Sequence, residues 1–114
     1  MEERRVKRIM EDYEARLRPP SGKRSGSGKV EWERYGDGNE EFYARFRKLD
    51  LPDGTRVEIR LDGVVLGHAD ISGGVGRLKF ESTKGQDVPK AVTGQVAEVV
   101  HGGEVFLTGV FKPD

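Results

Sequence analysis

Histidine stands at two positions of this chain, His68 and His101, and cysteine at none. His68 and Asp70 are two residues apart, so a strand would set both on one face as half of a metal site. A closed zinc site needs four donors, and no third His or any Cys is available to complete it. His101 precedes Gly102-Gly103 and reads as a turn residue. Three of the serines, Ser21, Ser25 and Ser27, lie in a Gly/Ser-rich stretch. Ser72 and Ser82 have no nucleophile-elbow context and no His placed to activate them. The carboxylate pairs Glu40/Glu41 and Asp50/Asp53 fall at turns, where acids satisfy turn backbone. Gly73-Gly74-Val75-Gly76 lies between strand patterns and lacks the helix N-terminus that a phosphate-cradling loop requires. The chemistry therefore predicts a protein that is not an enzyme and uses no cofactor and no metal.

Binding is a different matter. Tyr43, Arg45 and Arg47 alternate away from Phe42 and Phe46, which interleaves an aromatic ring with cations, as on a single-strand nucleic-acid platform. The neighbouring runs Arg56/Glu58/Arg60 and Lys79/Glu81 mix signs, and that mixture favours ion pairs across strands instead. The last apolar run is hydrophobic on both faces. Val105, Leu107 and Phe111 point one way and Phe106 and Val110 the other, so its second face needs a cover: a loop, another part of the chain, or another subunit. Net charge is zero from 20 Lys/Arg and 20 Asp/Glu, but residues 1–29 hold nine bases against five acids. Arg4, Arg5, Lys7, Arg8, Lys23 and Arg24 form a basic arm suited to an acidic surface or to nucleic acid.

These residues need elements to position them. From residue 28 onward, short alternating apolar runs are punctuated by tight-turn glycines. Val57/Ile59/Leu61 alternate with Arg56/Glu58/Arg60, and Asp62-Gly63 is a two-residue hairpin turn that accepts positive φ at both positions. Seven strands follow from such patterns: 29–35, 41–49, 55–61, 64–71, 76–83, 95–100 and 104–112. Val30, Trp32, Phe42, Ala44, Phe46, Leu78 and Phe80 point inward; Trp32 and Tyr35 would serve a carbohydrate site only if exposed, and the phase of Trp32 with Val30 places it in the core. The spacing predicts an antiparallel β-sandwich or small barrel over residues 29–114.

Ahead of it, Val6, Ile9, Met10, Tyr13 and Leu17 recur at helical spacing, and Glu3/Lys7, Asp12/Arg16 and Glu14/Arg18 are i,i+4 pairs with the acid first. The pattern predicts an amphipathic α-helix over residues 2–18, ended by Pro19-Pro20 within an arm spanning 1–20, with a flexible linker at 21–28. Its apolar stripe would dock on the Phe106/Val110 face of a second copy.

The run Leu51-Pro52-x-Gly54-Thr55-x-Val57-x-Ile59-x-x-Asp62-Gly63-x-x-x-Gly67, with Gly109-x-Phe111 near the end, resembles small bacterial β-sandwich domains of uncharacterised function. The resemblance implies an immunoglobulin-like or related sandwich used for binding or assembly, and transfers no catalytic residue.

The sequence thus leads to an all-β protein-interaction or assembly module, self-associating into a homo-oligomer through helix and sheet. The alternative is a nucleic-acid-binding domain using the basic arm. No apolar stretch reaches the ~20 residues of a membrane span, and no apolar segment follows the N-terminal bases as in a signal peptide, so the expected compartment is the cytoplasm.

Overall fold

A computed structural model describes residues 8–22 and 24–114. Among them nine strands form two antiparallel sheets: β1 (Ile9–Leu17), β2 (Ser27–Tyr35), β3 (Glu40–Arg47), β4 (Arg56–Leu61), β5 (Val64–Asp70), β6 (Gly76–Glu81), β7 (Val96–His101), β8 (Glu104–Val110) and β9 (Lys112–Pro113). The larger sheet has the order β6-β3-β2-β1-β9, and the smaller one β5-β4-β7-β8. The sheets face each other as a β-sandwich, and the alternating apolar residues of both meet between them. Trp32, Phe42, Phe111, Leu17, Ile59, Ile71 and Leu107 are fully buried there.

The N-terminal amphipathic helix is not present. No α-helix occurs among the described residues; the single helical turn is a 3-10 turn at Ser82–Lys84. Residues 9–17 are instead a strand, paired with β2 from Ile9↔Tyr35 to Leu17↔Gly28. The physical reason lies in the spacing. Tyr13 and Leu17, four residues apart, share a face in either geometry, because four is even and also close to one helical turn. Ala15 decides between the two: on a strand it joins Tyr13 and Leu17, and here it is fully buried. The ladder to β2 buries that face against Trp32 and Val30, a larger gain than weak helix propensity supplies. Pro19-Pro20 ends the strand as it would have ended a helix, because neither ring can donate an N–H.

β1 also closes one side of the sandwich. Arg18 and Thr108 exchange two backbone hydrogen bonds, of 3.0 and 2.8 Å. The approach is so close that a Cβ on Gly109 would collide with the carbonyl oxygen of Arg16. The Asp62-Gly63 hairpin forms as its residues dictate, with φ of 49° and 80°. Trp32 is fully buried, so it serves no exposed sugar platform. Its Nε1 donates to Glu40 Oε1 at 3.0 Å, and its ring lies 6.0 Å from that of Tyr13 in a stacked arrangement.

Candidate binding face

Alternation fixes what the outer face of the larger sheet presents. β1, β2, β3 and β6 each turn every second side chain outward, and their register aligns these in rows across the strands. The middle row runs Glu14–Glu31–Tyr43–Lys79. Two residues to one side, about 7 Å along the strands, lies a row of acids: Asp12, Glu33, Glu41 and Glu81. Two residues to the other side lies a row of bases: Arg16, Lys29, Arg45 and Arg77. Arg47 extends the basic side by one further row. The face is thus divided into an acidic band and a basic band, separated by a row that contains Tyr43.

The middle row binds the basic one. Glu14, nearly buried, lies 2.9 Å from Lys29 Nζ, and Glu31 lies 3.3 Å from the same atom and 3.8 Å from Arg45. The Lys29 hydrogen bond holds the Glu14 carboxyl below the usual range, and the Glu14 contact raises Lys29 in turn. The acidic row is crowded. Burial, a hydrogen bond to the Asp114 side chain and the charge of Glu33 push Asp12 up to about 7. Burial and the neighbouring Glu31 push Glu33 up as well. The Tyr35 hydroxyl donates to Glu41 at 3.1 Å and lies 3.3 Å from Glu33. Burial and these carboxylates hold that phenol protonated.

On the basic side the twisted sheet forms a shallow concavity of about 470 Å³, with Lys29, Tyr43, Arg45, Arg47, Val75 and Arg77 in its lining. The Tyr43 ring forms its aromatic wall, with Arg45 and Lys79 each 5.4 Å from the ring centroid. Arg47 and Arg77 have no ion-pair partner among the described residues. What this wall offers a ligand is guanidinium donors beside an aromatic face, a combination that receives carboxylates or phosphates.

A hard cation would find oxygen donors on the acidic side, where Asp12, Glu31 and Glu33 each place one oxygen within 4.8 Å of the others. Glu31 is already engaged by Lys29 and Arg45, and Asp12 relieves the crowding by holding a proton near neutrality. Asp12 Oδ1 is buried there without a hydrogen-bond partner among the described residues.

The residues singled out from sequence are scattered. Val6, Arg4, Arg5, Lys7 and Lys23 lie outside the described residues. Of the remaining stripe, Ile9 and Met10 are exposed, Tyr13 packs against the core and Leu17 lies within it. They form no single docking stripe, because a strand sends neighbours to opposite faces. Phe106 and Val110 form no patch either: Phe106 is buried, and Val110 is exposed. The Arg24 guanidinium sits 4.2 Å from the Phe106 ring centroid and pairs with Glu104, so the loop before β2 supplies the cover that Phe106 required. Arg24 is therefore engaged, while Arg8 is exposed. His68 and Asp70 share an outer face as expected, and Asp70 is taken by Arg56 at 3.1 Å.

Tyr43, Arg45 and Arg47 were identifiable from alternation alone; Lys29 and Arg77 were not. A signal for them does exist. Asp12/Arg16, Lys29/Glu33, Glu41/Arg45 and Arg77/Glu81 are each an acid and a base four apart, and the order reverses from one strand to the next in the sheet. Antiparallel neighbours with reversing order bring like charges side by side.

Compared with known proteins, the chain matches no family model and no curated protein. Among the described residues no helix is long and apolar enough to cross a membrane.

Proposed function

We propose that this chain is a non-enzymatic binding module whose working surface is the outer face of the larger sheet, with the concavity beside Tyr43 as its contact centre. One observation carries the reading: Arg47 and Arg77 line that concavity without an ion-pair partner among the described residues. Interfaces concentrate aromatic and arginine side chains at their centres, and Tyr43 with these arginines has that composition. A carboxylate-bearing protein surface suits the site better than nucleic acid does. A phosphate backbone following the basic row would run about 7 Å from Glu14 and Glu31 of the middle row and about 13 Å from the parallel row of acids, and Tyr43 supplies one ring where strand-binding platforms stack several bases.

The test is an amide chemical-shift titration with a glutamate-rich peptide. The reading expects shifts concentrated at Lys29, Tyr43, Arg45, Arg47 and Arg77, lost in the Arg47→Glu/Arg77→Glu variant. Shifts spread evenly over both sheets, or none at all, would refute it.

A further inference from the structure

The partner for this face can be named from its own symmetry. Resting on the binding face proposed above, we infer that it receives a second copy of this chain, seated face to face about a two-fold axis along the row Glu14–Glu31–Tyr43–Lys79.

The argument is geometric. A two-fold axis lying in the plane of contact along that row carries every residue on one side of it to the mirror distance on the other. On β1 the residues two before and two after Glu14 are Asp12 and Arg16. On β2 those flanking Glu31 are Lys29 and Glu33, on β3 those flanking Tyr43 are Glu41 and Arg45, and on β6 those flanking Lys79 are Arg77 and Glu81. All four strands therefore bring an acid of one copy over a base of the other. An isologous contact requires such self-complementarity, and here one operation supplies it four times over.

The row on the axis must meet its own copy. There Tyr43 would stack on the partner's Tyr43, which is favourable. Glu14 and Glu31, the two acids of this row, are recessed, with side-chain exposures of 6% and 16%, and Lys29 spans both. They do not confront their copies as bare charges, whereas Lys79, 42% exposed, does meet its own copy, with Glu81 of its own chain 3.6 Å away.

The arrangement is costly to a lone chain. Like charges directly opposite on adjacent strands destabilise a sheet, and the acidic row sets Asp12 beside Glu33 and Glu33 beside Glu41. Asp12 and Glu33 are raised first by burial, and the neighbouring carboxylates add to it. A second copy would offset that crowding by laying its basic row on the acids. With strands about 4.8 Å apart and about 3.3 Å per residue, β1, β2, β3, β6 and the short β9 present a face of about 540 Å². Two such faces bury above the ~1,000 Å² that a specific interface needs, and sheets pack face to face in this way at small angles.

Sedimentation velocity on the full chain tests the inference, at low and high salt, together with two variants and their mixture. Arg45→Glu/Arg77→Glu turns the face acidic, and Glu41→Lys/Glu81→Lys, at the positions that face those two arginines across the axis, turns it basic. The wild type should dimerise and dissociate as salt rises. Each variant alone should dimerise at least about a hundredfold more weakly, since like charges then meet, while an equimolar mixture of the two should form a heterodimer. A wild type that stays monomeric at millimolar concentration, variants that dimerise as the wild type does, or a mixture that fails to associate would each overturn it. If the wild type is monomeric yet binds the glutamate-rich peptide at Arg47 and Arg77, the second copy is rejected and the binding module stands.

Discussion

On the outer face of the smaller sheet, opposite charges meet across the strands. Arg56 reaches Asp70 at 3.1 Å, and Arg60 stands in register with Glu98 while contacting Glu58 at 2.6 Å. On the outer face of the larger sheet, the directly opposed cross-strand neighbours within the acidic row and within the basic row are of like sign. Both faces have the same pleat and similar residue types, so neither backbone nor composition explains the difference. The smaller sheet settles its charges within one chain. The larger sheet separates them into bands, and that separation is what supports the proposed binding role of this face.

The comparison can be broken first at the seam that holds the sheets together. Gly109→Ala sets a Cβ against the Arg16 carbonyl with backbone on both sides, and should cost about 3 kcal/mol, read as a lowered urea midpoint. An unchanged midpoint would mean that β1 is not seated on β8 as described.

Next, the two faces should answer differently to the loss of one cation. Lys29→Met leaves the nearly buried Glu14 carboxylate without its closest partner, and should cost about 2 kcal/mol after allowing for the partial exposure of Lys29. Arg56→Met on the other face removes an exposed pair and should cost under about 0.5 kcal/mol. Equal costs in parallel urea titrations would erase the contrast.

The smallest effect is on pH dependence. Asp12 rises from 3.8 to about 7 in the folded chain, so the folded state binds a proton that the unfolded state has released. Its stability is therefore greatest at the acidic end of that window and declines as pH rises through it. Urea midpoints should fall between about pH 5 and about pH 8, and Asp12→Asn should flatten that slope. Glu14, held low by Lys29, acts in the opposite sense, but only below its ordinary range, where acid protonates it and the pair with Lys29 is lost. Glu33, raised as well, leaves a residual slope of the same sign, so only a slope undiminished by Asp12→Asn would place its origin elsewhere.

How much of this was legible in the sequence divides along the same line. The strands from Val57/Ile59/Leu61 onward, the Asp62-Gly63 turn and the burial of Trp32 follow from period-two alternation and turn chemistry, which are local. β1 reads as a helix because Asp12/Arg16 and Tyr13/Leu17, both four apart, satisfy helix and strand alike; only pairing with β2 decides, and pairing is not local. The same Asp12/Arg16 spacing that looks like a helical ion pair is one quarter of the banded face. Tyr43, Arg45 and Arg47 could be placed together because one strand carries them. Lys29 and Arg77 join them only through register, and the alternating order of acid and base becomes readable once the strand order is known.

The most direct measurement uses a nitroxide on Val75→Cys, a unique thiol in a chain without cysteine. Val75 lies at the far edge of the basic side and carries no charge, so the bands stay intact. Spin-labelled chain at natural abundance, mixed with unlabelled 15N chain, reports contacts between copies only. The account predicts that amides from Glu81 to Lys84, across the axis row on the acidic side, broaden most in the 15N copy. Broadening centred on Arg56 and Asp70 of the other sheet, or none, would contradict it.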